Sequence, residues 1–144
     1  MKKCSEVMTQ NLVCCLPTDT ASKAAQLMKT EDVGSIPVIE DEQTMKLIGI
    51  VTDRDLALQV VAVERDPRLT HVAEVMTYEV ITCRASDDIQ KAVDAMSQHQ
   101  LRRMPVIDGD HRIVGIISQA DVATRVDQTE ETAEMVKEIS QPTA

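Results

Sequence analysis

Aromatic side chains are almost missing from this sequence: there is no Trp, no Phe and a single tyrosine, Tyr78. Stacking on a protein ring is therefore nearly excluded as a way to hold a flat ligand, which would have to lie between aliphatic side chains. Basic residues are also scarce. Fifteen Lys and Arg stand against 24 Asp and Glu, for a net charge of -9. That balance argues against a nucleic-acid partner, which calls for a basic face, and against anionic membrane surfaces. No apolar run approaches the roughly 18 residues that span a bilayer. Residues 1–6 lack the apolar stretch of a signal peptide, so a cytoplasmic location is expected. Cys4, Cys14, Cys15 and Cys83 show no CxxC spacing, and His71, His99 and His111 stand apart. Reduced packing thiols and no metal site are expected. No GxGxxG or Walker loop occurs, and no Ser-His-Asp or Cys-His set has workable spacing. The expectation is a protein that is not an enzyme.

What the sequence does contain is itself, twice. Glu6-Val7-Met8-Thr9 returns as Glu74-Val75-Met76-Thr77, and Pro37-Val38-Ile39 as Pro105-Val106-Ile107, both at an offset of 68. Gly49-Ile50-Val51-Thr52 with Asp55 returns as Gly115-Ile116-Ile117-Ser118 with Asp121, at 66. The two lost residues fall in one turn, between Ile39 and Lys46. Two copies of this length are not a solenoid but a duplicated small unit. Each half would be marginal alone, because a short chain buries a smaller share of its surface, so a shared core is expected.

Each copy reads as β-α-β-β-α. Residues 11–16 and 80–83 are short apolar runs, read as strands. Thr18-Asp19-Thr20 and Ser86-Asp87-Asp88 supply capping oxygens. Ala21, Ala24, Ala25 and Met28, then Ile89, Ala92, Val93 and Met96, recur at helical spacing. Two strands joined by a polar turn follow in each copy (35–39 and 46–51; 104–107 and 112–117), then a second helix near 54–64 and 119–126. The boundaries expected are 1–66 for the first copy and 69–126 for the second, linked through Asp66-Pro67-Arg68. Residues 127–144 form an acidic tail or a short helix.

The element with chemical content is Gly-Ile-x-Thr/Ser-x-x-Asp. A hydroxyl at Thr52 or Ser118, free helix-start amides and a carboxylate at Asp55 or Asp121 could hold a phosphate and a ribose diol. The same spacing also describes a capping box, and both roles can coexist. Arg102-Arg103 and Arg54 lie nearby; an arginine fork suits phosphate oxygens, and an arginine pair can equally be a solvated surface. Gly34-Ser35 stand where the second copy has the arginines, so the two sites should be unequal.

Val7-Met8-Thr9, 34–39 and 49–56, then Val75-Met76-Thr77, 101–107 and 115–122, resemble the cystathionine-β-synthase (CBS) domain family, specifically a tandem pair or Bateman module. The likeness covers about residues 4–126. It implies an α+β fold of two β-α-β-β-α repeats about a pseudo-twofold axis, and a homodimer. It also implies a regulatory role through adenosine-containing ligands (AMP, ADP, ATP or S-adenosylmethionine), read by a separate protein target. The ligand would bridge the repeats. One cleft would use Arg103, Ile116, Ser118 and Asp121, with Thr9, Val13, Cys14, Val33 and Gly34. Asp121 would hold ribose, Ser118 and Arg103 phosphate. The other would use Ile50, Thr52, Arg54 and Asp55, with Thr77, Ile81, Thr82, Leu101 and Arg102. The rival expectation is a structural dimerisation module whose sites are degenerate.

Overall fold

The computed structural model describes residues 2–125; the expected tail, 127–144, lies outside them. The chain is α+β, and the described residues divide into two compact units. Residues 13–80 form one, called here the Asp55 unit. Residues 2–12 and 81–125 form the other, the Asp121 unit. The units do not follow the repeat boundaries. The opening residues of the first copy belong with the second copy's strands, and residues 72–80 belong with the first copy's.

In the Asp55 unit, helix α2 (Ala21–Glu31) begins at Thr20, whose side chain accepts the Lys23 N–H. Ala21, Ala24 and Met28 are buried as the stripe predicts, but Ala25 is exposed. Strands β1 (Ser35–Ile39) and β2 (Leu47–Thr52) pair antiparallel, Ser35 opposite Thr52. Helix α3 (Asp53–Leu56) then widens into a π turn, Ala57–Val61, in which Val60 is buried. A single 3-10 turn, Val72–Glu74, closes the unit.

The Asp121 unit opens with a short helix α1 (Cys4–Val7). Strand β3 (Cys83–Arg84), helix α4 (Ile89–His99), strands β4 (Arg103–Ile107) and β5 (Ile113–Ser118), and helix α5 (Gln119–Arg125) follow. The α4 stripe is buried at Ile89, Ala92, Val93 and Met96. Strand β4 pairs antiparallel with β5, Arg103 opposite Ser118.

The first strand of each copy is shorter than the apolar runs suggest. Residues 11–16 contribute only Cys15, bridged to Val38, and 80–83 contribute only Cys83, which starts β3 opposite Val106. The physical reason is a missing donor. Cys15 N–H donates to Pro37 O and Ile39 N–H to Cys15 O. Extending this parallel ladder upstream would require an N–H from Pro37, or from Pro105 in the other copy, and proline has none.

Instead of the one shared core expected for the two halves, exchange of segments builds two composite cores. Cys4, Val7 and Met8 from the first copy pack with Val93, Met96, Met104 and Ile117. Val72, Val75 and Met76 from the second pack with Ala24, Ile36, Val38 and Val51. The short helical turns of these exchanged segments escape periodicity analysis because they are too brief to show a stripe. Their signal was Glu6 and Glu74, whose carboxylates accept the N–H of Lys3 and His71 at the turn starts.

Helices α2 and α4 both end in a left-handed residue, Asp32 (φ 54°) and Gln100 (φ 53°). Glycine is the residue that adopts this conformation without a Cβ clash. Gln100→Gly is expected to stabilise the fold by about 0.5–1 kcal/mol, read as a higher denaturation midpoint. An unchanged or lower midpoint would show that the cap is not strained.

Candidate functional site

The same small constellation is built once in each unit. In the Asp121 unit, Asp121 N–H donates to Ser118 Oγ at 3.0 Å, and Ser118 N–H donates to Asp121 Oδ2 at 3.0 Å. In the Asp55 unit, Asp55 N–H donates to Thr52 Oγ1 and Thr52 N–H to Asp55 Oδ2, both at 3.0 Å. The capping box is thus present in both copies. It holds the hydroxyl and the carboxylate at one end of a strand with their backbones locked.

The exchanged segment adds a second hydroxyl to each. Thr9 and Ile116 trade both backbone hydrogen bonds (2.8 and 3.0 Å), as do Ile50 and Thr77 (2.9 and 2.8 Å). These pairings hold Thr9 Oγ1 at 3.2 and 3.3 Å from the two oxygens of Asp121. Thr77 Oγ1 lies 3.2 Å from both oxygens of Asp55. Close approach requires glycine at Gly49 and Gly115. A Cβ on Gly49 would sit 2.9 Å from Thr77 O, and one on Gly115 would press into the Met8 side chain. Each carboxylate therefore accepts one backbone amide and one threonine hydroxyl. Part of its four-lone-pair capacity stays open, enough to take hydroxyls of a ligand.

Thr9, Ile116, Ser118 and Asp121 are thus brought together, as are Ile50, Thr52, Asp55 and Thr77. Arg103 stands opposite Ser118 across the β4–β5 pair and is exposed. Arg54 is exposed beside Asp55. The remaining residues expected for each cleft lie in the other unit. Val13, Cys14, Val33 and Gly34 are in the Asp55 unit; Ile81, Thr82, Leu101 and Arg102 are in the Asp121 unit.

Two features escaped sequence reasoning. Arg125 Nη1 donates to Val7 O and Met8 O, each at 2.9 Å, while Nη2 lies 4.0 Å from Asp121 Oδ1. It ties the exchanged segment to α5 beside the carboxylate, and its signal was the four-residue spacing from Asp121. The other is Asp53, whose N–H donates to Gly34 O at 2.9 Å, just as Gln119 N–H donates to Arg102 O at 2.8 Å. A Cβ at Gly34 would lie 3.0 Å from Asp53 Oδ2.

Cys14 and Cys15 carry thiols pushed up to about 11 from an ordinary 9.0, chiefly by burial and at Cys15 also by the Asp19 charge. The fold therefore favours the neutral thiol, while the unfolded chain ionises near 9.0. This contribution to stability is complete below pH 9.0 and is lost as pH rises to about 11. Denaturation midpoints taken between pH 8 and 11 should fall with pH, and the slope should flatten in Cys14→Ala/Cys15→Ala. An equal slope in that variant would assign the effect elsewhere. Cys83 is also raised, first by its interaction with the Cys4 thiol and then by burial. Among the described residues no group of three or more His, Cys, Asp or Glu is placed to hold a metal ion. None of their helices is long and apolar enough to cross a membrane.

A twofold-repeated α+β unit, each carrying a hydroxyl–carboxylate cap completed by a threonine of the other copy, defines a tandem-repeat module rather than a single-site fold. The chain belongs to the CBS domain family, whose model matches residues 4–62 and 72–127. It is similar to the CBS domain-containing protein YhcV of Bacillus subtilis (36% identical over 140 residues, 97% of this chain and 96% of YhcV). It is also similar to hypoxic response protein 1 of Mycobacterium tuberculosis, 32% identical over 144 residues, all of this chain and 98% of that protein. A crystal structure of Hypoxic Response Protein I, with two coordinated zinc ions, matches with a TM-score of 0.76 at 33% identity, over 87% of this chain and 99% of that one. The structure of CBSX2 in complex with AMP matches with a TM-score of 0.71 at 27% identity, over 85% and 94%.

Proposed function

We propose that this protein is a non-enzymatic regulatory module that binds adenosine-containing ligands through its two hydroxyl–carboxylate groups. The observation that carries this reading is the congruence of the two groups. Thr52/Asp55/Thr77 and Ser118/Asp121/Thr9 share one geometry to within about 0.1 Å in their hydrogen bonds. The carboxylate accepts from two ribose hydroxyls, and the serine or threonine hydroxyl donates to a phosphate oxygen. AMP in the CBSX2 complex supports the ligand class.

Ribose would share the Asp121 carboxylate with Thr9 and weaken their hydrogen bond, so ligand changes the hold of the exchanged segment on β5. A partner protein that favours one of the two states would sense the ligand level, since a ligand shifts an equilibrium only by its differential affinity. Homodimerisation belongs to the same reading. Leu58, Val61 and Val63, exposed at 46%, 73% and 55% in and just after the π turn, are the apolar surface a second copy would cover.

Calorimetric titration with AMP, ATP and S-adenosylmethionine tests the reading. At least one should bind, and Asp55→Ala/Asp121→Ala should abolish it. Three silent titrations would reject it in favour of a structural module. One observation favours that second reading: both carboxylates already serve as helix caps, a role that accounts for the doubled motif by itself.

A further inference from the structure

The two hydroxyl–carboxylate groups share a backbone frame but not a charge. At matching places, Gly34, Ser35, Asp53, Arg54 and Gln59 in one unit correspond to Arg102, Arg103, Gln119, Ala120 and Arg125 in the other. The frame is common: Ser35 faces Thr52 as Arg103 faces Ser118, and the amide after each hydroxyl donates to residue 34 or 102. At these places and at the motif acid itself, the Asp121 unit carries three arginines and one carboxylate. The Asp55 unit carries one arginine and two carboxylates there. The differences are coupled. The Asp53 carboxylate lies against position 34, at 3.0 Å from where a Cβ would begin, so glycine accommodates it there without displacement. A negative charge thus occupies the neighbourhood that carries an arginine in the other copy.

Coulomb attraction at about 4 Å is worth more than a factor of ten in affinity when partly shielded from water, and it changes sign with the ligand's charge. Resting on the adenosyl reading above, we infer that the two groups select ligands of opposite charge. The Ser118/Asp121 group takes a phosphate-bearing adenosyl ligand. The Thr52/Asp55 group takes one without phosphate, neutral or cationic as in a sulfonium, and Ser35 and Asp53 are the residues that exclude phosphate.

The test is calorimetry on the full chain with two probes, AMP and S-adenosylmethionine. AMP should bind at one site per chain, lose at least tenfold in affinity in Arg103→Ser, and vanish in Asp121→Asn. S-adenosylmethionine binding should survive Asp121→Asn and vanish in Asp55→Asn. The asparagine variants keep an acceptor oxygen for the helix cap, so folding is retained, and circular dichroism checks it. The gain-of-function variant Ser35→Arg/Asp53→Gln should create a second AMP site, with affinity at least tenfold above the parent's. AMP binding that persists in Asp121→Asn, or a charge swap that leaves AMP unaffected, overturns the charge selection while leaving the adenosyl reading intact. Silence from both probes on the unaltered chain overturns both.

Discussion

Asp121→Ala should lose AMP binding by about a hundredfold or more and destabilise the fold by about 1–3 kcal/mol. The two losses have separable causes. Alanine removes the acceptor for Ser118 N–H and for Thr9 Oγ1. The Asp121 side chain is only 14% exposed, so water replaces these partners poorly. Leaving a shielded donor unpaired costs about 1–3 kcal/mol. Ligand loss is larger because hydrogen bonds to a carboxylate are roughly twice as strong as neutral ones, and two are forfeited at once. Asp121→Asn separates the effects, since it keeps an oxygen for the cap and removes the charge. Thermal melts should place it between the parent and alanine, while titration should place it near alanine. If Asp121→Asn binds ligand as the parent does, charge is not what grips the sugar.

The second large effect is expected at a residue with no side chain. In Gly115→Ala the new Cβ would approach Met8 Cγ to 2.8 Å and Met8 Cβ to 3.0 Å. Met8 is part of the buried core and its neighbour Thr9 is paired to Ile116, so the segment has little room to withdraw. Overpacking of this kind costs about 1–3 kcal/mol, and a chain of this size should melt several degrees lower. Gly109→Ala is the control, because nothing lies within 4 Å of a Cβ there. A double variant with Met8→Ala should recover part of the loss, which a double-mutant cycle reads as coupling between the two sites. Additive losses would show that position 115 does not press on Met8.

The helices, the hairpins and the doubled motif were legible because each is written locally. Stripes at helical spacing, a polar turn between two apolar runs and a hydroxyl three residues before an acid need no distant partner to be read. The four residues Thr52, Asp55, Ser118 and Asp121 followed from that spacing alone. Residues 11–16 and 80–83 misled for the opposite reason: an apolar run becomes a strand only where a partner can donate, and Pro37 and Pro105 cannot. Ala25 stayed at the surface although it matches Val93 in sequence, because a stripe predicts a face and not its width.

The order of residues was enough to determine a duplicated α+β chain with a hydroxyl and a carboxylate at one strand end in each copy. Periodicity and capping are short-range and repeat independently, so they survive without coordinates. Which copy completes which was implied by the family resemblance but by no local pattern, and its hydrogen bonds come from the tertiary structure. Thr9 serves Asp121 and Thr77 serves Asp55, across sequence separations of 112 and 22 residues. Arg125 and Asp53 acquire their meaning only from what the chain brings beside them. Long-range pairing depends on packing between segments, and no local pattern encodes it.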